Sequence, residues 1–190
     1  MSKMKFITVT YIIFLLGCAI IEEASAANCE KHPIYCQIIN NRTSKSGKTS
    51  INKRYAMKLS NIIHKAAIKY KIPANIYTAI LMQESRYSLK AKGCHSGLRQ
   101  ETIDNKVQLI ETRICSDFGI SQIYYKTARR YKLDIHLLTT DLQYSIEAGA
   151  KVLSGFKKRY SKRETDWWTR YNASSRVKRK IYKELVERFL

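Results

Sequence analysis

From Tyr55 the chain places Leu59, Ile62, Ile63, Ala66 and Tyr70 at steps of three and four, with polar residues between them. That period predicts an amphipathic helix, and Pro73 breaks it and starts the next one. The second helix runs to about Arg86 and is apolar over most of its length, from Ile76 to Met82. Residues 88–117 lose the helical period. They are mixed and polar, contain Gly93 and Gly97, and alternate around Lys106 to Ile114, which predicts a short hairpin. Helical character returns after Tyr124. Asp141 is the expected N-cap of a long helix through Ile146, Ala150, Val152, Leu153 and Phe156. Asp166-Trp167-Trp168 opens a further short helix, with both tryptophans read as core and cleft-wall residues. Val177 to Leu190 reads as a last, basic amphipathic helix whose stripe Val177, Ile181, Leu185 and Phe189 docks on the core. With no internal repeat and only two prolines and seven glycines, these periods predict a mainly α-helical single domain.

The ends of the chain carry a different signal. Lys3 and Lys5, then an apolar run from Phe6 to Ile21, then Ala24-Ser25-Ala26, read as a signal peptide over residues 1–26. The apolar run is short for a membrane span and Glu22-Glu23 closes it, so a permanent helical anchor is disfavoured. Leu15-Leu16-Gly17-Cys18 also resembles a bacterial lipobox, so a lipoprotein attached to the outer membrane at Cys18 stays open. Either route makes the chain periplasmic or secreted. Residues 27–54 then form a basic N-terminal extension, rich in loop formers between Ser44 and Ser50 and expected to be irregular.

Cysteine usage agrees with export. Cys29, Cys36, Cys94 and Cys115 remain after the leader, and the favoured pairing is Cys29–Cys36 with Cys94–Cys115. No close Cys-x-x-Cys pair is present and His95 lacks partners at ligand spacing, so no metal and no cofactor is expected. The formal charge is +20, and the leader holds as many lysines as glutamates, so its loss leaves that balance unchanged. Such a chain associates with a polyanion. Export argues against nucleic acid and for an anionic lipid or an acidic wall polymer.

Glu84 is the one acid between Ile72 and Gln100, and helical spacing puts it on the face of Ile76 and Ile80. Burial without a cation raises a carboxyl's pKa toward the range of a general acid. Two later segments fall in order after it: Gly119-Ile120-Ser121-Gln122-Ile123 and Tyr171-Asn172-Ala173-Ser174. Together with Glu84-Ser85, with Ala148-Gly149-Ala150-Lys151-Val152-Leu153 and with Tyr182, this ordered set over residues 55–190 resembles the soluble lytic transglycosylase family. The resemblance implies a lysozyme-like, goose-type fold and a catalytic domain over that span. As a small single-domain member it resembles the enzymes that open the wall for type IV secretion, conjugation or pilus assembly.

By that resemblance Glu84 is the catalytic acid and then the base, cleaving peptidoglycan between N-acetylmuramic acid and N-acetylglucosamine to a 1,6-anhydro sugar. Ser85, Gln122, Tyr171, Asn172 and Tyr182 are the expected substrate-binding residues, hydrogen-bonding the acid or the N-acetyl groups and offering ring faces. The partners implied are glycan strands and components of a secretion or conjugation apparatus, with a membrane only through a lipidated Cys18. Three positions depart from the family's pattern: Ser121 replaces a methionine, Ser174 a glycine and Arg170 an alanine. The matched segments hold no second carboxylate beside Glu84; Asp117, beside Gly119, could approach, but an acid there reads more simply as a loop-capping residue. The competing readings are a hydrolytic, goose-type lysozyme and a non-catalytic wall-binding assembly protein. A secreted basic module for nucleic acid or cytotoxicity leaves the ordered set unexplained.

Overall fold

The computed structural model describes residues 29–103 and 106–190. The leader over residues 1–26, with Cys18, lies outside the described residues. A mainly α-helical, lysozyme-like domain with one small sheet results, and its central element is the apolar helix that ends in Glu84. The expected irregular extension is corrected at its first folded element. Helix α1 (Pro33–Asn41) carries proline in its first turn, where a missing N–H costs nothing. Ile34 and Ile38, one turn apart, are buried in the main core, so this segment is part of the fold. The disulfide Cys29–Cys36 ties its start to the preceding residues.

Helix α2 (Lys53–Tyr70) starts where Asn52 accepts the backbone N–H of Arg54 and Tyr55, at 2.9 and 3.2 Å. That cap places the start just ahead of Tyr55. Leu59, Ile63 and Ala66 face inward, as the period requires. Helix α3 (Ala74–Ser85) follows Pro73 and ends at Arg86, whose φ of 52° turns the chain sharply away. Tyr77 through Met82 are all buried, which is the pattern of a helix packed on every side. Helices α1 and α2 and the last helix of the chain supply that packing.

Strand β1 (Lys92–Ile103) pairs antiparallel with β2 (Lys106–Phe118), a ribbon much longer than the alternation around Lys106 to Ile114 predicts. Cys94 lies opposite Cys115 in that register, and the second disulfide joins them near the ribbon's base. Strand β3 (Ile123–Tyr124) extends the sheet by pairing Tyr124 with Asp117 and Ile123 with Phe118. Two short helices follow, α4 (Tyr125–Arg130) and α5 (Ile135–Thr140), and then α6 (Leu142–Tyr160). Asp141 caps α6 as expected, accepting the Tyr144 N–H at 2.9 Å.

A single 3-10 turn (Trp167–Tyr171) precedes α7 (Arg176–Glu187). Trp167 and Trp168 are buried in the main core. The stripe expected to dock α7 is off by about one residue. Tyr182 and Val186 are buried, while Val177 and Ile181 are 72% and 54% exposed. The inward face is set by Tyr182, which reaches Glu84 and lies 6.4 Å from the Trp168 ring, and by Arg179, which is ion-paired to Glu164. A second, smaller core of Ile123, Ala128, Leu138, Ala148 and Val152 joins β3, α4, α5 and α6. Helix α6 contributes to both cores, and a cleft opens along it.

Candidate active site

The last turn of α3 carries Glu84 out of the core and into a cleft of about 470 Å³. Its carboxyl is half-buried, and two side chains from the end of the chain reach it. Tyr182 of α7 donates its hydroxyl to Oε1 at 2.6 Å, and Asn172 donates Nδ2 to the same oxygen at 3.4 Å. Burial pushes the Glu84 carboxyl up to about 7, the two hydrogen bonds pull it back, and the charge of Asp117 adds to the rise. Burial also holds the Tyr182 hydroxyl well above its ordinary value, so it stays a neutral donor. The result is a carboxyl that carries its proton near neutral pH, held by two donors on one oxygen. Among the described hydrogen bonds none falls on Oε2.

Asp117 lines the same cleft, from the end of β2. The loop-capping reading misses this, because pairing with Tyr124 of β3 brings the strand end beside the acid. Ser116 donates its hydroxyl to Asp117 Oδ2 at 2.6 Å and fixes the carboxylate. Gly93 leaves the space that this requires: a Cβ there would stand 2.9 Å from the Asp117 Cβ and 3.0 Å from Gln122 Oε1. Two carboxyl groups therefore share the cleft. The opposite wall is Val152 and Phe156, one turn apart on α6, which the sequence marks only as core positions.

The segment from Gly119 to Gln122 forms the floor. Gly119 has a φ of 76°, and a Cβ there would collide with the Leu138 carbonyl and with Ser145 Oγ, so only glycine fits. Gln122 also lies in the left-handed region, at φ 43°, and lines the cleft. Its amide donor is turned to the protein, with Nε2 on the carbonyls of Ala91 and Gly119 at 3.1 and 2.8 Å. Its Oε1 lies toward Gly93 and accepts none of the described hydrogen bonds. Ser121 departs from the expected methionine site altogether. It is fully buried, donates to the Ser145 carbonyl at 3.1 Å, and lies 3.2 Å from the Tyr77 hydroxyl.

The remaining expected residues divide. Tyr171 lines the cleft, donates its hydroxyl to the Ser121 carbonyl at 2.7 Å and packs edge-on to Phe156. Asn172 lines it as well, and is exposed to an incoming ligand. Ser85 lies behind the acid. Its hydroxyl donates to the Ile120 carbonyl at 2.7 Å and to Leu81 at 3.2 Å, which binds the end of α3 to the floor segment. Tyr182 is buried and acts on Glu84 from beneath. Arg170 faces away from the cleft chemistry: it pairs with Glu164, which Arg179 also holds, and lies 4.5 Å from the Tyr160 ring. That cluster fastens the 3-10 turn between α6 and α7. Ser174 is exposed, and its carbonyl accepts Arg170 Nη1 at 3.4 Å.

Among the described residues no group of three or more His, Cys, Asp or Glu comes together at metal-binding spacing. Glu84, with its raised pKa in a polar cleft with an apolar wall, offers proton transfer. The family model described as transglycosylase SLT domain matches residues 61–185, which span the whole of this site. No curated protein matches the chain, and no solved structure does.

Proposed function

The chain belongs to the transglycosylase SLT domain family, which supports lytic transglycosylase activity on peptidoglycan, and from that premise we propose a complete route through Glu84. The observation that carries it is the carboxyl held protonated to about 7 with both donors on Oε1. Oε2 then bears the proton and faces the sugar. It protonates the oxygen between N-acetylmuramic acid and N-acetylglucosamine as the bond to the muramyl C1 breaks. Tyr182 and Asn172 stabilise the carboxylate that forms. The same carboxylate takes the proton of the muramyl 6-hydroxyl while that oxygen bonds to C1. The acid is restored, no water is consumed, and the product is a 1,6-anhydromuramyl end.

The other cleft residues fit supporting roles in this route. Gln122 Oε1 and Asn172 are placed for the N-acetyl groups, and Tyr171 and Phe156 form a wall for a sugar ring. Ser85 and Tyr182 position the acid from behind it. The catalytic unit is taken as residues 55–190, supported from outside by α1. Export through the leader, to the periplasm or beyond, would place the enzyme at its substrate. A high positive charge suits strands that carry carboxylates, and local opening of the wall for a secretion, conjugation or pilus machine is the proposed use.

Asp117 favours a second outcome on the same site. A second carboxylate in the cleft is the part that hydrolytic glycosidases use to activate water. Hydrolysis, yielding a reducing muramyl end, is therefore the competing reaction of this cleft. Glu84→Gln tests both at once, since each needs its proton. Removing a general acid costs about 10²- to 10⁴-fold, so purified peptidoglycan should no longer lose turbidity. Clearing at the parent rate would take Glu84 out of catalysis.

A further inference from the structure

A second groove, of about 520 Å³, lies on the far side of the small core, between the end of α2, the turn after α4 and the first half of α6. Tyr70 and Tyr144 form walls, with Leu133 and Ala148 between them. Its charges are unevenly committed. The Asp141 carboxylate is used in capping the Tyr144 N–H, and Glu147 is held by Lys69 and by Gln143 Nε2 at 3.0 Å. Lys132 and Lys151 line the same groove and form no ion pair among the described residues. With Glu147 paired to Lys69, the two lysines outnumber the one uncompensated acid, Asp141, which suits an anion with an apolar flank.

The groove and the cleft lie on neighbouring turns of α6. Ala148 in the groove and Val152 in the cleft lie one turn apart on α6, about 6 Å along its axis. Lys151 is the residue immediately before Val152. At the other side, Thr127 of the cleft lies within α4 and Lys132 of the groove lies in the turn that follows it. An extended peptide of a few residues, as carried by a muramyl sugar, reaches roughly 3.5 Å per residue. That span covers the distance along α6.

We infer that the Tyr70–Lys132–Tyr144–Lys151 groove binds the carboxylate-bearing stem peptide of the wall strand while the glycan occupies the cleft. The inference rests on the peptidoglycan reading and adds a peptide subsite to it. Lys132 and Lys151 meet the peptide's free carboxylates, and the tyrosines cover its aliphatic parts. Uncross-linked strands with intact stems would then be held more tightly than bare glycan.

The test is binding, measured by calorimetry in the Glu84→Gln background so that no strand is cut. The probes are soluble glycan strands with intact stems and the same strands stripped by an amidase. Intact strands should bind more tightly, and Lys132→Ala with Lys151→Ala should remove about three- to tenfold of that preference. Lys132→Arg with Lys151→Arg should keep it. A control pair on α7, Lys178→Ala with Lys180→Ala, carries the same charge loss away from the groove. Equal affinity of the parent for both strands overturns the inference, as does a preference that survives the groove variant. An equal loss from the control pair also overturns it, because bulk charge then explains the effect. Failure to bind either strand would strike the proposed substrate as well.

Discussion

Both donors to Glu84 fall on Oε1, from Tyr182 at 2.6 Å and Asn172 at 3.4 Å, so the carboxyl is oriented as well as perturbed. The donors Tyr182 and Asn172 and the acid Asp117 move its pKa in opposite directions. Tyr182 favours the charged form, so Tyr182→Phe should shift the alkaline limb of the rate profile to higher pH while lowering the maximum about tenfold. Asp117 disfavours it, so Asp117→Asn should shift the limb to lower pH and reduce reducing-end products. A profile from wall-clearing rates checks both, and shifts in one common direction would contradict the assignment. Stability carries the same signature. A folded value of about 7, above the ordinary 4.5, means that the native state holds the extra proton. That contribution is full below pH 4.5 and is lost as pH rises through about 7, on the order of 3 kcal/mol in all. Glu84→Gln should therefore gain several degrees of melting temperature at pH 8 relative to its gain at pH 4. An equal shift at both values would mean that Glu84 titrates as an ordinary glutamate.

At the scale of elements, α1 is the sharpest departure from expectation. Ile38 is fully buried against α2 and α3, so Ile38→Ala should cost about 2–5 kcal/mol in chemical denaturation. A loss under about 0.5 kcal/mol, the range of surface substitutions, would return this segment to the status of an appendage. The helices with a long, clean period were legible: α2 from Leu59, Ile63 and Ala66, and α6 from its Asp141 cap and inward row. α1 was not, because nine residues with two buried isoleucines are too short a pattern amid basic and loop-forming neighbours. The face of α7 was misread for a different reason. A stripe of aliphatic residues suggests docking, yet the docked face is built on Tyr182, which has a polar task at Glu84, and on the Arg179 ion pair. Glu84, Gln122, Tyr171 and Asn172 could be found from their order in the chain, and they do meet in one cleft. Asp117 could not, since only the pairing of β2 with β3 brings it there. Ser121 shows the reverse case: a position next to the site in sequence is turned into the interior, where Gly149 leaves it room.

For the whole molecule, the two cores meet along α6, and the cleft lies where they meet. Helix α3 brings the acid, the sheet brings Asp117, and the end of the chain brings the donors that hold Glu84. The sequence separation of these parts explains why their cooperation is a tertiary property. A charge of +20 surrounds the assembly and suits an acidic polymer, but the reaction is decided inside the cleft by which nucleophile reaches the muramyl C1. Glu84 alone, recycling one proton, gives the intramolecular 6-hydroxyl the advantage, whereas Asp117 offers a place for water. Mass spectrometry of peptidoglycan digested to completion by the parent chain separates these most directly. The account predicts 1,6-anhydromuramyl ends as the main product. Digestion that leaves only reducing ends would contradict it.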